Sequence, residues 1–319
     1  MSSFEPPLRL LIDTDIGTDD ALALLMAFRH PGARVELITT VAGNAPLSDT
    51  TRNACFVAEL CGSAVPVHAG CAVPLLREPG DARHVHGLDG LGDYGFPAPL
   101  RQPGKHHAAI ALIEAIRAAP GALTLVTLGP LTNVALALSL DPEIAGLVRR
   151  CVVMGGAAGL AGNVTAAAEF NIWADAEAAQ IVFRSGLPIA MAGIELCRGA
   201  ARSTPEEYAP LERRTEPISR FAWQMFTHIG GMGRGRYGWR GEAAIPDAVA
   251  MAIALEPALM TGYIDCPVAI ETRPGLTYGA TILDRRLGAE PAPGSGTIRV
   301  ALALDVDGYK RLLHRAVGL

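Results

Sequence analysis

Short, continuous apolar runs alternate along the chain with longer segments in which apolar residues recur at helical spacing. The runs predict buried strands at 8–12, 34–41, 65–68, 122–128, 151–154 and 188–194, and the segments predict helices at 19–30, 48–61, 106–118, 131–140 and 175–185. Strands that are apolar on both faces must be covered on both sides. The pattern therefore predicts an α/β fold, with an open, mainly parallel, doubly wound sheet flanked by helices.

Three stretches interrupt this alternation. Residues 74–104 and 230–246 are rich in Gly and Pro and are long enough to form active-site lids. Residues 287–297 predict a surface loop before a final strand and helix. No break in composition marks a domain boundary, so we expect a single domain over residues 1–319.

The composition excludes several classes of protein. Of the 319 residues, 50% are hydrophobic and 18% are charged, and the formal net charge is −5. The apolar content argues against disorder, and the lack of a basic excess argues against nucleic-acid binding. No apolar run approaches the roughly 18 residues that span a membrane. Six cysteines without a C-x-x-C pair are expected to be reduced thiols, which favours a cytoplasmic location.

Four aspartates follow the first predicted strand within eight residues, at Asp13, Asp15, Asp19 and Asp20. Ligands of open parallel sheets bind at the carboxyl ends of the strands. Carboxylates this close repel one another and favour protonation unless a cation lies between them, and oxygen-only ligands favour Ca²⁺ or Mg²⁺. The alternative is that Asp19 caps the next helix and the others lie in solvated turns, although capping needs only one side chain.

Common metal and phosphate motifs do not account for this cluster. An EF-hand loop that began at Asp13 would need Gly and Glu where the chain has Thr18 and Leu24. No P-loop string is present, and the glycines at 155–159 lack the G-x-G-x-x-G spacing of a dinucleotide site.

The string DTDIGTDDALALL at 13–25 closely resembles the DTDPGxDDAxALL signature of the inosine–uridine nucleoside hydrolases. The resemblance continues in order along nearly the whole chain. It is carried by ITTVAGN at 38–44, RNACFVAELCG at 52–62, HVHGLDGLG at 84–92, TLVTLGPLTN at 124–133, VVMGGA at 152–157, GNVTAAAEFNIWADAEAA at 162–179 and PDAVAMAIALEPALM at 246–260.

The resemblance implies an enzyme that hydrolyses the N-glycosidic bond of ribonucleosides to ribose and free base, as in purine and pyrimidine salvage. It also implies a bound Ca²⁺ that holds the ribose 2′- and 3′-hydroxyls and the attacking water. Members of this family are typically homodimers or homotetramers, so we expect a homo-oligomer.

The family's site residues carry over to matching positions of this sequence. Asp15 matches the general base, which activates the water and also binds the metal. The other implied metal ligands are Asp20, Asp247 and the backbone carbonyl of Leu128. The implied ribose contacts are Asp19, Asn44, Met154, Glu169, Asn171 and Asp247. Asp13, at the first signature position, is expected to support the loop.

The sequence departs from the family pattern just before Asp247. Many members carry a His there that protonates the departing base, whereas this chain has Pro246. Five residues are candidates for activating the leaving group, and the sequence does not choose among them: Tyr237, Trp239, His84, His86 and His228.

Two other functions stay open at this point. The missing His is compatible with hydrolysis of another N-riboside, such as nicotinamide riboside or a modified nucleoside. The chain could also be a catalytically silent, calcium-dependent ribose-binding protein. The presence of Asp15 argues against the silent protein, because binding alone does not require a base.

Overall fold

The fold is built around an eight-stranded sheet, and the computed structural model describes residues 7–159, 161–291 and 296–319. The strands are β1 Leu8–Thr14, β2 Ala33–Thr40, β3 Val67–Ala69, β4 Leu123–Thr127, β5 Arg150–Met154, β6 Ile189–Ala192, β7 Met260–Cys266, β8 Val268–Ile270, β9 Thr281–Leu283 and β10 Ile298–Leu304. The helices are α1 Thr18–Arg29, α2 Leu47–Leu60, α3 Arg83–His86, α4 Ala108–Ala118, α5 Thr132–Leu140, α6 Phe170–Ala174, α7 Ala176–Phe183, α8 Pro205–Tyr208, α9 Pro217–Tyr237, α10 Pro246–Leu255 and α11 Val306–Val317.

The strand order is β3-β2-β1-β4-β5-β6-β10-β7, and every neighbouring pair is parallel except β10 and β7. Strands β8 and β9 form a separate antiparallel pair. The predicted fold class, a mainly parallel sheet flanked by helices, is confirmed.

The core lies on both faces of this sheet. In β1, Leu10 and Ile12 pack into the hydrophobic cluster on one side, whereas Leu11 packs into the cluster on the other. Side chains alternate between the faces of a strand, so a continuous apolar run fills both clusters. Helix α1 is buried from Thr18 to Ala27 because it packs between the sheet and the helices α9, α10 and α11.

The prediction that residues 230–246 form a lid loop is wrong for its first half, because α9 continues to Tyr237. Glycines inside a helix usually weaken it. Here a Cβ at Gly230 would lie 2.3 Å from the carbonyl oxygen of Gly241, and one at Gly233 would lie 2.9 Å from that of Glu242. The lack of a side chain at these two glycines therefore lets the following segment pack closely against the helix.

The other two predicted loops, 74–104 and 287–297, lie beside regular elements of the fold. The stretch 74–104 contains the short helix α3, which lies near the carboxyl edge of the sheet. Strand β10 and helix α11 follow the predicted loop 287–297, of which residues 292–295 lie outside the described residues.

Within the described ranges, none of the helices combines the length and apolarity that crossing a membrane requires.

Candidate active site

The predicted site residues meet at the carboxyl edge of the sheet. Asp15 directly follows β1, Asn44 lies in the turn after β2, and Leu128 directly follows β4. Met154 ends β5. The first turn of α10 brings Asp247 to the same place from the far end of the chain.

Three carboxylates form the centre of the site: Asp19, Asp20 and Asp247, hereafter the aspartate triad. One oxygen from each lies within 4.8 Å of the others, and all three side chains are buried. Burial raises the pKa of Asp19 to about 6, and burial together with the charges of Asp19 and Asp20 raises that of Asp247 well above its ordinary value. A cation among these oxygens would remove the repulsion.

Asp15 lies beside the triad and is fully buried. Its Oδ2 accepts a hydrogen bond from the backbone N–H of Asn44 at 2.7 Å, while its Oδ1 has no partner among the described residues. Burial, and next the charge of Asp20, raises the pKa of Asp15 well above its usual range. The triad therefore contains Asp19, which the resemblance assigned to ribose binding. It does not contain Asp15, which the resemblance assigned to the metal.

The donor set fits a hard divalent cation. Oδ1 of Asp15 and Oδ1 of Asp19 are buried and lack hydrogen-bond partners within the described part of the chain. Unpartnered buried carboxylate oxygens are costly, and a metal ion satisfies them. The carbonyl of Leu128 lies close by, where it accepts a hydrogen bond from Nδ2 of Asn171 at 2.6 Å.

Neighbouring side chains hold the acidic loop in place. Asp20 accepts hydrogen bonds from the Thr14 hydroxyl at 2.5 Å, from the Gly17 N–H at 2.8 Å and from Nδ2 of Asn44 at 3.0 Å. Asp13 accepts from Thr39 at 2.5 Å and from Asn133 at 2.8 Å, and burial raises its pKa to about 7. Asp13 thus ties β1 to its neighbours, which is the supporting role expected from the sequence.

Gly43 allows Asp15 to approach the loop after β2. A Cβ at this position would lie 2.1 Å from Oδ2 of Asp15, and one at Gly129 would lie 2.5 Å from Oδ1. If Asp15 is the base that the resemblance implies, we expect Gly43→Ala to lower kcat by about 10²-fold, because displacement of a catalytic group by 1 Å can have that effect. Steady-state ribose release measures it. Gly146→Ala is the control, since a Cβ there meets nothing within 4 Å. Equal rates for both variants would contradict this role of Gly43.

A cavity of about 120 Å³, hereafter the first cavity, opens above the triad. Its lining includes all six residues that the resemblance implies as ribose contacts: Asp19, Asn44, Met154, Glu169, Asn171 and Asp247. The carboxylate of Glu169 accepts from the N–H groups of Gly156 and Asn171 at 2.9 and 3.0 Å, and burial raises its pKa to about 7. The cavity therefore gathers carboxylate and amide oxygens near the triad, between apolar walls that include Met154 and Phe170.

Residues 10–311 match the family model described as inosine-uridine preferring nucleoside hydrolase. The chain belongs to this family. It is 43% identical over 308 residues to the non-specific ribonucleoside hydrolase RihC of Salmonella newport (strain SL254), with 95% of each chain covered. It is 40% identical over 314 residues to RihC of Escherichia coli O6:H1, which covers 98% of this chain and 99% of that one. The predicted enzyme class, nucleoside hydrolase, is confirmed.

Solved structures agree with this membership. A plant nucleoside hydrolase, PpNRh1, has a TM-score of 0.92 at 31% identity, with 98% of this chain and 100% of that one covered. A purine-preferring ribonucleoside hydrolase from Gardnerella vaginalis has a TM-score of 0.88 at 29% identity, with 97% and 98% covered.

A second cavity, of about 400 Å³, adjoins the first in this nucleoside hydrolase. The two cavities share lining residues, among them Asp19, His86, Tyr237 and Pro246. Sequence reasoning did not find this second cavity. Its walls come from helix α9 and from segments around residues 162, 194–202 and 239, and these segments share no single sequence motif.

The leaving-group candidates take different positions around the cavities. His86 is buried with Nδ1 3.2 Å from the Thr18 N–H, and burial lowers its pKa to about 4. Tyr237 stacks on Trp239 with ring centroids 4.8 Å apart, and both rings line the second cavity. His84 lines the first cavity. His228 packs against α3, with Nε2 2.8 Å from the carbonyl of Val85.

Other residues of the first cavity had no role in the sequence prediction. Asn163, Phe170 and Arg236 line it together with the expected contacts. Asn163 and Phe170 lie within the GNVTAAAEFN string, so that string was the available signal for them.

Proposed function

We propose that this nucleoside hydrolase cleaves the N-glycosidic bond of ribonucleosides to ribose and free base in a calcium-dependent reaction. The observation that carries the proposal is the buried aspartate triad beside a cavity that all six implied ribose contacts line. The names of the RihC relatives, non-specific ribonucleoside hydrolases, support ribonucleosides as the substrate class.

The oxygen-only donor set favours calcium over softer metals. Asp19, Asp20 and Asp247 offer carboxylate oxygens, and Asp15 offers its unpartnered Oδ1. Ca²⁺ accepts six to eight such oxygens in flexible geometry. When bound, Ca²⁺ would hold the two vicinal ribose hydroxyls and lower the pKa of the attacking water.

Asp15 is the general base in this proposal. The N–H of Asn44 fixes the carboxylate through Oδ2, and the two oxygens together keep enough free lone pairs to face the ion and to accept the proton of the attacking water. The unpartnered base also favours a catalyst over a silent ribose-binding protein.

The remaining residues of the first cavity stabilise the sugar in the transition state. As the bond to the base breaks, positive charge develops on the ribose ring. The carboxylates of Asp19 and Glu169 line the cavity in which that charge would form. Fixed negative groups in a buried site stabilise such a charge more strongly than water does.

A second candidate function is hydrolysis of another N-riboside, such as nicotinamide riboside or a modified nucleoside. Pro246 favours it, because proline has no proton to give to a poor leaving group. Nicotinamide leaves as a neutral molecule and needs no such proton.

A reducing-sugar assay on a panel of purine, pyrimidine and nicotinamide ribosides tests both candidates. We expect ribose release that a chelator stops and added Ca²⁺ restores. Release that chelation leaves unchanged would contradict the metal assignment. Measurable ribose binding without release from any riboside would favour the silent protein.

The 2′-hydroxyl of the substrate provides a further prediction. We expect kcat/KM for 2′-deoxyinosine to be about 10⁴-fold below that for inosine, because the site would lose one of its two hydroxyl contacts to the ion. The control substrate is 5′-deoxyinosine, which keeps both vicinal hydroxyls. Similar kcat/KM values for inosine and 2′-deoxyinosine would contradict the proposed orientation of the sugar.

A further inference from the structure

The second cavity contains an arginine whose role the reaction described above does not use. Arg202 lines this cavity beside Trp239 and Pro246. If the ribose occupies the first cavity, as the proposed function requires, the adjoining second cavity has room for the base. Arg202 then lies on the base side of the scissile bond.

The guanidinium of Arg202 is positioned by an aromatic ring. Its central carbon lies 4.1 Å from the centroid of the Trp239 ring, which covers one face of the group. Its Nε is buried and has no hydrogen-bond partner among the described residues. Leaving a buried donor of a charged group without an acceptor costs free energy, unless a ligand supplies the acceptor.

Of the three other arginines that lie over aromatic rings within the described residues, two are paired, whereas Arg236 over Tyr237 has no ion pair there. Arg77 lies over the Tyr278 ring and forms an ion pair with Glu177 at 2.8 Å. Arg299 lies over Tyr263 and pairs with Asp265 at 2.9 Å.

The other charged groups near Arg202 are already engaged. Arg198, on the wall of the same cavity, donates to the carbonyl of Ala161 at 2.8 Å. The carboxylate of Glu242 accepts from the backbone N–H of Arg240 at 2.5 Å, and it lies near enough to Arg202 to feel its charge without forming an ion pair. Within the described ranges, the guanidinium of Arg202 has neither an ion pair nor a hydrogen bond.

We propose that Arg202, held against Trp239, binds the carbonyl edge of the departing base and makes this nucleoside hydrolase selective for bases with such an edge. A guanidinium fork matches a carbonyl oxygen beside a ring nitrogen, the edge that a 6-oxopurine presents. Adenine presents an amino donor in place of that oxygen, so the fork keeps only one acceptor.

The same contact assists bond cleavage. The bond between C1′ and the base nitrogen breaks, and its electron pair passes to the base, where the charge spreads onto the carbonyl oxygen. The water oxygen bonds to C1′, and its proton goes to Asp15. The positive charge of Arg202 stabilises the base anion until solvent protonates it, so Pro246 need not supply a proton.

The test compares substrates whose leaving groups need different amounts of help. The calcium-loaded full chain, Arg202→Ala and the control Arg299→Ala are assayed on inosine, adenosine and p-nitrophenyl β-D-ribofuranoside. The p-nitrophenolate anion leaves without assistance. For Arg202→Ala we expect kcat/KM for inosine to fall about 10- to 100-fold and the p-nitrophenyl value to stay within about twofold. The preference for inosine over adenosine should narrow by about tenfold.

The outcomes separate this proposal from the proposed function. A wild-type chain inactive on every riboside would overturn both. An active wild type with Arg202→Ala unchanged on inosine, or with equal losses on inosine and the p-nitrophenyl riboside, would overturn the role of Arg202 alone. Arg299→Ala should match wild type on all three substrates. If Arg202→Ala loses its native circular dichroism spectrum, Arg202→Met replaces it, because Met preserves an apolar stem against Trp239 without the charge.

Discussion

Replacement of Asp15 by Asn should lower the turnover of ribonucleosides by about 10³- to 10⁴-fold, the range expected for loss of a general base. The substitution keeps the size of the side chain, and its amide oxygen can still accept the N–H of Asn44. It removes the capacity to take a proton and leaves a neutral oxygen facing the ion. Because it also removes one buried charge from an acidic cluster, the free energy of unfolding of the metal-free protein should not fall.

Steady-state ribose release gives the turnover, and circular dichroism reports the fold. Asp175→Asn is the matched control, since Asp175 is equally buried but caps α7 and accepts from Thr132 at 2.8 Å. Asn is also a good capping residue, so this variant should keep its activity. Activity of Asp15→Asn within tenfold of wild type would refute the assignment of Asp15 as base.

On the proposed function, removal of calcium should abolish ribose release and lower the melting temperature. In the Asp247→Asn variant, added calcium should neither restore ribose release nor raise the melting temperature. A ligand that binds only the folded state at 1,000 times its Kd adds about 4 kcal/mol to stability. Asp247 reaches the triad from α10, so its loss leaves the ion with fewer carboxylates. Without calcium the order should reverse: Asp247→Asn should melt above wild type, because one of the repelling buried charges is gone.

Thermal scans of both proteins with chelator and with a calcium series measure these shifts. Asp175→Asn again serves as control and should respond to calcium as wild type does. If Asp247→Asn gains as much melting temperature from calcium as wild type, Asp247 does not bind the ion.

The strands were the most predictable part of the fold. Strand β4 lies at Leu123–Thr127, within the predicted run 122–128, because every one of its residues is buried and the run contains only apolar residues and two threonines. The end of α9 was not predictable in the same way. Gly230 and Gly233 indicate a loop when only local preference is considered, but their tight packing against residues 241 and 242 keeps them helical.

Without the family resemblance, the sequence could predict the site only at the acidic loop after β1. The aspartates after β1 are adjacent in sequence, so their proximity needs no knowledge of the fold. Asp247 could be included only through resemblance to a family. The stack of Arg202 on Trp239 joins two residues from segments with no shared pattern, and only the three-dimensional arrangement places them together.

The triad joins the beginning of α1 to the beginning of α10, two helices that pack against each other. The ribosome synthesises α1 long before α10, because most of the length of the protein separates Asp20 from Asp247. Until α10 emerges, the nascent chain carries α1 without the partner that covers it and the acidic loop without its last carboxylate. On the proposed function, calcium would therefore bind tightly only after nearly the whole chain has been synthesised. The ion would then stabilise the completed fold and would not guide its early stages.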